Sequence, residues 1–128
     1  MRRGDRAARG SAVVDFVLVL VVLIPLFLGI LQVALVMLVR NTLANAAAEG
    51  ARHAASFDQG LADGERRTRE QIRGAVSGRF AREIDAHMVS LDGRPTVEVV
   101  VRATVPALGL GGPGVSLEVA GHAVEESP

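Results

Sequence analysis

The chain of 128 residues has no cysteine, no tryptophan and no tyrosine, and all fourteen of its basic residues are arginine. Without cysteine there are no disulfides and no thiolate metal or redox chemistry. Three histidines, His53, His87 and His122, are too scattered for a ligand set, so no metal and no other cofactor is expected. A small exported domain lacking both supports has association with other subunits as its remaining source of stability. The only aromatics are four phenylalanines, and fourteen acids balance the arginines. Such a chain has neither a basic face nor a stacking platform, which excludes nucleic-acid binding. The absence of lysine points to a GC-rich genome more than to a phosphate-binding role.

Charge is also missing from one long stretch. Between Phe16 and Val39 the only polar side chain is Gln32. At about 1.5 Å per residue this run makes a rod of roughly 36 Å, enough to cross a hydrocarbon core of about 30 Å with some tilt. Backbone amides in lipid must be bonded within their own segment, so the run has to be a helix. A transmembrane span at about 16–39 is expected, with a kink at Pro25.

The flanks orient it. Arg2, Arg3, Arg6 and Arg9 stand against Asp5, a formal +3, whereas residues 40–128 hold ten arginines against twelve acids. Arginines beside a span resist translocation, so residues 1–10 form a basic cytoplasmic leader and the larger C-terminal part lies outside. A secretory signal peptide would show the same order, with an A-x-A site at Ala44 and Ala46, but the apolar run exceeds its usual 7 to 15 residues or so. Arg2-Arg3 lacks the further context of a twin-arginine export signal.

Beyond Arg40 the segment NTLANAAAEGARHAAS is alanine-rich and continues the helix in phase, so one helix is expected over residues 11–56. Two ridges of small residues line it, Ala46, Gly50 and Ala54 along one, Ala47, Ala51 and Ala55 along the next. Small residues four apart admit close helix packing, although alanine is also the best helix former and needs no partner. Residues 57–128 are left for a small extracytoplasmic α+β domain. Asp58, Gly60, Asp63 and Gly64 mark a loop. From Glu65, apolar residues recur every four positions at Ile72, Val76, Phe80, Ile84 and Met88, the pattern of a second amphipathic helix. Its arginines alternate with Glu65, Glu70, Glu83 and Asp85 and make a solvated face. After the turn LDGRP, residues 96–105 and 115–124 alternate apolar and polar, the signature of a C-terminal antiparallel β-hairpin.

The N-terminal half brings a family to mind. Gly10 stands five residues before Asp15, which is followed by Phe16 and the apolar run. This block, GSAVVDFVLVL, resembles the class III signal of type IV prepilins, and VRNTLANAAAEGARHAA, residues 39–55, resembles the TadE-like pseudopilins, minor pilins of tight-adherence (Flp-type) pilus systems. The resemblance implies a type IV pilin-like layout and cleavage after Gly10 by a prepilin peptidase, with Ser11 as the new N-terminus. It also implies that Asp15, beside Phe16, takes the family's glutamate position, one methylene short, where the acid can neutralise a neighbouring subunit's amine. The partners implied are the membrane, other pilin subunits and the assembly machinery. An unprocessed single-pass anchor with a small protein-binding domain is the alternative.

Little supports an enzyme. His53 has nothing nucleophilic beside it, and Glu98, Glu118 and His122 are expected on a solvent face. The glycine-rich stretch PALGLGGPG leads into a strand and lacks the helix N-terminus of a phosphate site, so no small-molecule substrate is expected.

Overall fold

A computed structural model describes residues 3–108 and 112–127. The first helix, α1, runs Arg3–Ala55 without a break through Pro25. Its 53 residues make a rod of about 80 Å. It therefore begins earlier than the expected residue 11, taking in residues 3–10 of the basic leader. Its upper end stops where Asp58 turns left-handed, at φ 71°. One orphan carbonyl there, that of Ala55, accepts a hydrogen bond from the Glu126 backbone N–H at 2.9 Å.

The second helix, α2, spans Leu61–Ala75. Its start is fixed by Asp63, whose Oδ2 accepts the Gly60 backbone N–H at 3.0 Å. This is half of a capping box, because Gly60 has no side chain to return the bond. A 3₁₀ turn at Gly78–Ala81 follows, then strands β1 (Glu83–Leu91), β2 (Arg94–Val105) and β3 (Val115–Val124). They form one antiparallel sheet in the order β1-β2-β3.

The α+β layout is the expected one, but three details differ. The second helix starts at Leu61 and not at Glu65, because the Asp63 cap on Gly60 draws Asp63 and Gly64 out of the expected loop into its first turn. The second helix ends at Ala75 instead of reaching Met88, and the hairpin has gained a strand. Gly74 and Gly78 weaken any helical continuation by about 1 kcal/mol each. Asp92 and Gly93, with φ 51° and 77°, supply the tight two-residue turn that folds β1 onto β2, pairing Leu91 with Arg94. A spacing of four also suits a strand, since it is twice the β period. Ile84 and Met88 flank Ala86 on the inner face of the sheet.

The core lies between that inner face and the upper half of α1. Val97, Val99, Val101, Val105, Leu117 and Val119 pack with Val39, Leu43 and Ala47, while Ile72 and Phe80 close the side. Glycine brings α2 and β3 directly against α1. A Cβ on Gly121 would fall on the backbone of Ala47 and Ala48, so β3 lies directly against α1. A Cβ on Gly64 would come within 2.6 Å of the Ala54 Cβ and 2.8 Å of the Gly50 carbonyl, and Gly50 is equally closed in by Gly64 and Thr68. The two helices thus cross backbone to backbone.

The strands run along the helix. The chain after Val105 touches Gln32, Gly121 touches Ala47, and Glu126 reaches Ala55. From Gln32 to Ala55 the helix rises about 35 Å, and from Val115 to Glu126 an extended chain covers about 36 Å. β3 is therefore nearly parallel to α1, and the start of β1, the end of β2 and the start of β3 all lie at the domain's lower edge.

Candidate assembly helix and its start

The lower half of α1 is exposed over nearly all of its length. Phe16 is 63 % exposed, and Val13, Val14, Leu18, Val22, Ile24 and Phe27 are exposed with it. α1 is the one helix among the described residues long and apolar enough to cross a membrane, which supports a single-pass membrane protein. A face of large apolar residues all round the rod has lipid or other helices as its stable surroundings.

At the foot of this rod Gly10 and Ser11 lie exposed in the helix, and nothing approaches within 4 Å of where a Gly10 Cβ would stand. The Gly10–Ser11 bond lies within the helix. Asp15 is exposed on the same free stretch. No hydrogen bond or ion pair to its side chain forms among the described residues, leaving the carboxylate open to a partner from outside the chain.

The small-residue ridges lie far away, about 54 Å up the helix. Ala46, Ala47, Gly50, Ala51, Ala54 and Ala55 are all buried within the chain's own domain. The first ridge faces α2 at Gly64 and Thr68, whose Oγ1 donates to the Gly64 carbonyl at 2.8 Å. Ala47, on the second, faces β3.

Between the two regions stands Gln32. Its Nε2 donates to the Pro106 carbonyl at 3.3 Å and its Oε1 accepts the Leu108 N–H at 2.8 Å. The only amide of the apolar run thus satisfies two backbone groups of the β2–β3 connection.

The outer face of the sheet carries a cluster that residue order did not reveal. In register, His87, Glu98 and His122 sit side by side on the three strands. The His87 Nε2 lies 2.9 Å from Glu98 Oε1, and the His122 Nε2 meets Glu98 Oε2. Asp85 Oδ2 is 3.3 Å from the His87 Nδ1 but lacks the angle of a hydrogen bond, so that buried nitrogen has no hydrogen-bond partner. Reading residues 83–91 as a strand would have found the cluster. Glu118 stands apart, bonded to Arg102 at 2.7 Å; that pair is the main reason the guanidinium is held above its ordinary pKa. Glu118 and His122 line different clefts, so Glu98, Glu118 and His122 do not converge in one. Among the described residues no group of histidine and acid side chains has the geometry of a metal site.

Comparison with known proteins gives one match. Residues 10–52 fit the family model of TadE-like proteins, a family of pilus-associated, pilin-like proteins. The matched segment begins at Gly10 and covers the bare rod and most of the small-residue ridges. No curated protein and no solved structure matches the chain.

Proposed function

We propose that this chain is a TadE-like minor pilin, made as a precursor in the cytoplasmic membrane with its N-terminus inside and its domain outside. A prepilin peptidase cuts after Gly10, and the exposed rod above Ser11 then packs beside other pilin subunits in a tight-adherence pilus or its assembly complex. The observation that carries this reading is the conjunction of the family match over residues 10–52 with a run of large exposed apolar residues that begins at Val13, just inside it. The small-residue ridges hold the chain's own domain to the rod, so the lower half of α1 supplies the intersubunit surface. Asp15, unpartnered among the described residues, is the group that meets a neighbouring subunit's amine, where an unpaired charge in apolar surroundings is costly.

The test is the mass of the membrane-extracted protein with and without a prepilin peptidase. Loss of residues 1–10 is expected with the peptidase, and Gly10→Leu should block it while leaving insertion intact. Asp15→Ala should still be cut but recover fewer partner subunits on crosslinking. An intact leader in the presence of active peptidase would leave the unprocessed single-pass anchor as the function.

A further inference from the structure

The domain's lower edge bears on where the bilayer ends. The chain leaving β2 at Val105 passes through Pro106, Ala107 and Leu108, and re-enters β3 from Gly112, Pro113 and Gly114, with no regular structure in these described residues. Pro106, Leu108, Gly112 and Pro113 are exposed. Irregular backbone facing lipid is excluded from the hydrocarbon core, because its N–H and C=O groups would have no partners. This connection is held at the level of Gln32 by two hydrogen bonds. The hydrocarbon boundary therefore cannot lie above Gln32 on that side, and a span of 16–39 would drown the connection by about 10 Å.

We infer that the membrane-embedded segment is residues 11–31 and that the domain's lower edge rests on the bilayer surface, with Pro106–Leu108 in the interfacial layer and Arg79 and Arg82 against lipid headgroup phosphates. Residues 11–31 rise about 31 Å, matching a core of about 30 Å without tilt. Above them Leu35, Val36 and Val39 already pack on the domain, while Val33, Met37 and Leu38 carry the apolar face of α1 into the headgroup layer. Leu108, 37 % exposed beside Gln32, adds an apolar side chain to the edge.

The arginines follow from the strand directions. An open cleft of about 580 Å³ at the lower end of the sheet is lined by Arg79, Arg82, Glu83, Arg102, Thr104 and Ser116, among others. Thr104 pairs with Ser116 one residue in from the Val105–Val115 pair that closes the edge. The cleft thus opens within about 10 Å of the Gln32 level, which the roughly 6 Å headgroup layer and an arginine side chain together span. Arg102 is committed to Glu118, whereas Arg79 and Arg82 form no ion pair among the described residues. Guanidinium groups so placed favour phosphate oxygens. The same register carries Asp15 about 6 Å inside the other boundary.

The inference rests on the membrane-spanning reading of α1, and a cysteine-free chain makes both testable together. Single cysteines at Leu108, Ala34, Leu23 and Ser90 of the full chain would carry an environment-sensitive fluorophore in nanodiscs. Spin-labelled lipids bearing the quencher either near the headgroup or at mid-chain then report depth. The Leu108 and Ala34 labels should be quenched by the shallow lipid, the Leu23 label by the mid-chain lipid, and Ser90, at the far end of β1, by neither. Mid-chain quenching at Ala34, or no quenching at Leu108 while Leu23 is quenched, overturns the placement; no quenching at Leu23 overturns the spanning reading itself. Arg79→Glu with Arg82→Glu should lower Leu108 quenching at least about two-fold in phosphatidylglycerol nanodiscs. Equal quenching in parent and variant there overturns the headgroup contact.

Discussion

The two halves of α1 are one continuous helix with opposite surroundings. From Phe16 to Leu31 the side chains are valine, leucine, isoleucine and phenylalanine except at Pro25 and Gly29, and nearly all are exposed; above Arg40 about half are alanine or glycine, and most of these are buried. Size follows the neighbour. A fluid or exchangeable neighbour is best met by bulk, because each buried methylene contributes about 0.8 kcal/mol wherever it lands. A fixed neighbour that comes as close as the Gly64 backbone or β3 leaves room for little more than a hydrogen or a methyl. The upper half is thus a docking rail for the chain's own domain, and the lower half keeps its surface for others.

The sharpest way to break this contrast is at the rail. Gly121→Val puts a branched side chain into the backbone of Ala47 and Ala48, which cannot give way, and should destabilise the domain by at least about 3 kcal/mol, read as loss of the thermal transition in micelles. A variant that melts with the parent would mean that β3 does not lie on α1. Next comes a matched pair on the helix. Leu43→Ala, at a fully buried position, should cost about 2–5 kcal/mol in domain unfolding, whereas Leu23→Ala in the bare half should leave that transition unmoved. Equal effects at the two sites would erase the distinction between the halves.

Smaller effects test the junction and the far end. Gln32→Leu removes two hydrogen bonds to the β2–β3 connection and should lower stability by about 1–2 kcal/mol, with faster amide exchange at Leu108 as the local readout. Unchanged exchange there would show that Gln32 does not hold the connection. The least effect concerns Asp63, whose carboxyl is held below its usual range chiefly by the Gly60 N–H, with Arg66 adding to it. A depressed folded-state pKa stabilises the fold fully above the unfolded value near 4, and that contribution is lost as pH falls through the lower folded value. The parent's small advantage over Asp63→Asn in melting temperature should accordingly shrink between pH 6 and pH 2, and a constant difference would remove the cap from the account.

Much of this was legible in the sequence. Length and apolarity were enough for α1, and alternation was enough for β2 and β3. β1 was hidden because Ile84 and Met88 stand four apart, a spacing that suits a helix turn and two strand steps equally, with the small Ala86 silent between them. The turn Asp92-Gly93 was the decisive local signal, since a tight turn after a strand-length segment demands a partner strand before it. Reading His87 as a helix-surface residue then concealed its row with Glu98 and His122, which exists only in sheet register. Gly50 stood out on its small-residue ridge, but Gly64 and Gly121 could not have been ranked above the other glycines, because what singles them out is the backbone lying opposite. The Gln32 contact joins residues more than seventy positions apart, and no local pattern announces it.

One bond at the top of the rail has a mechanical side. The Glu126 N–H closes on the Ala55 carbonyl, just beyond the strand that runs alongside α1. A load drawn along the axis of the rod therefore acts across the full length of the β3–α1 contact at once, in shear, with no free corner from which to peel. The helix and its domain should resist tension as a single member.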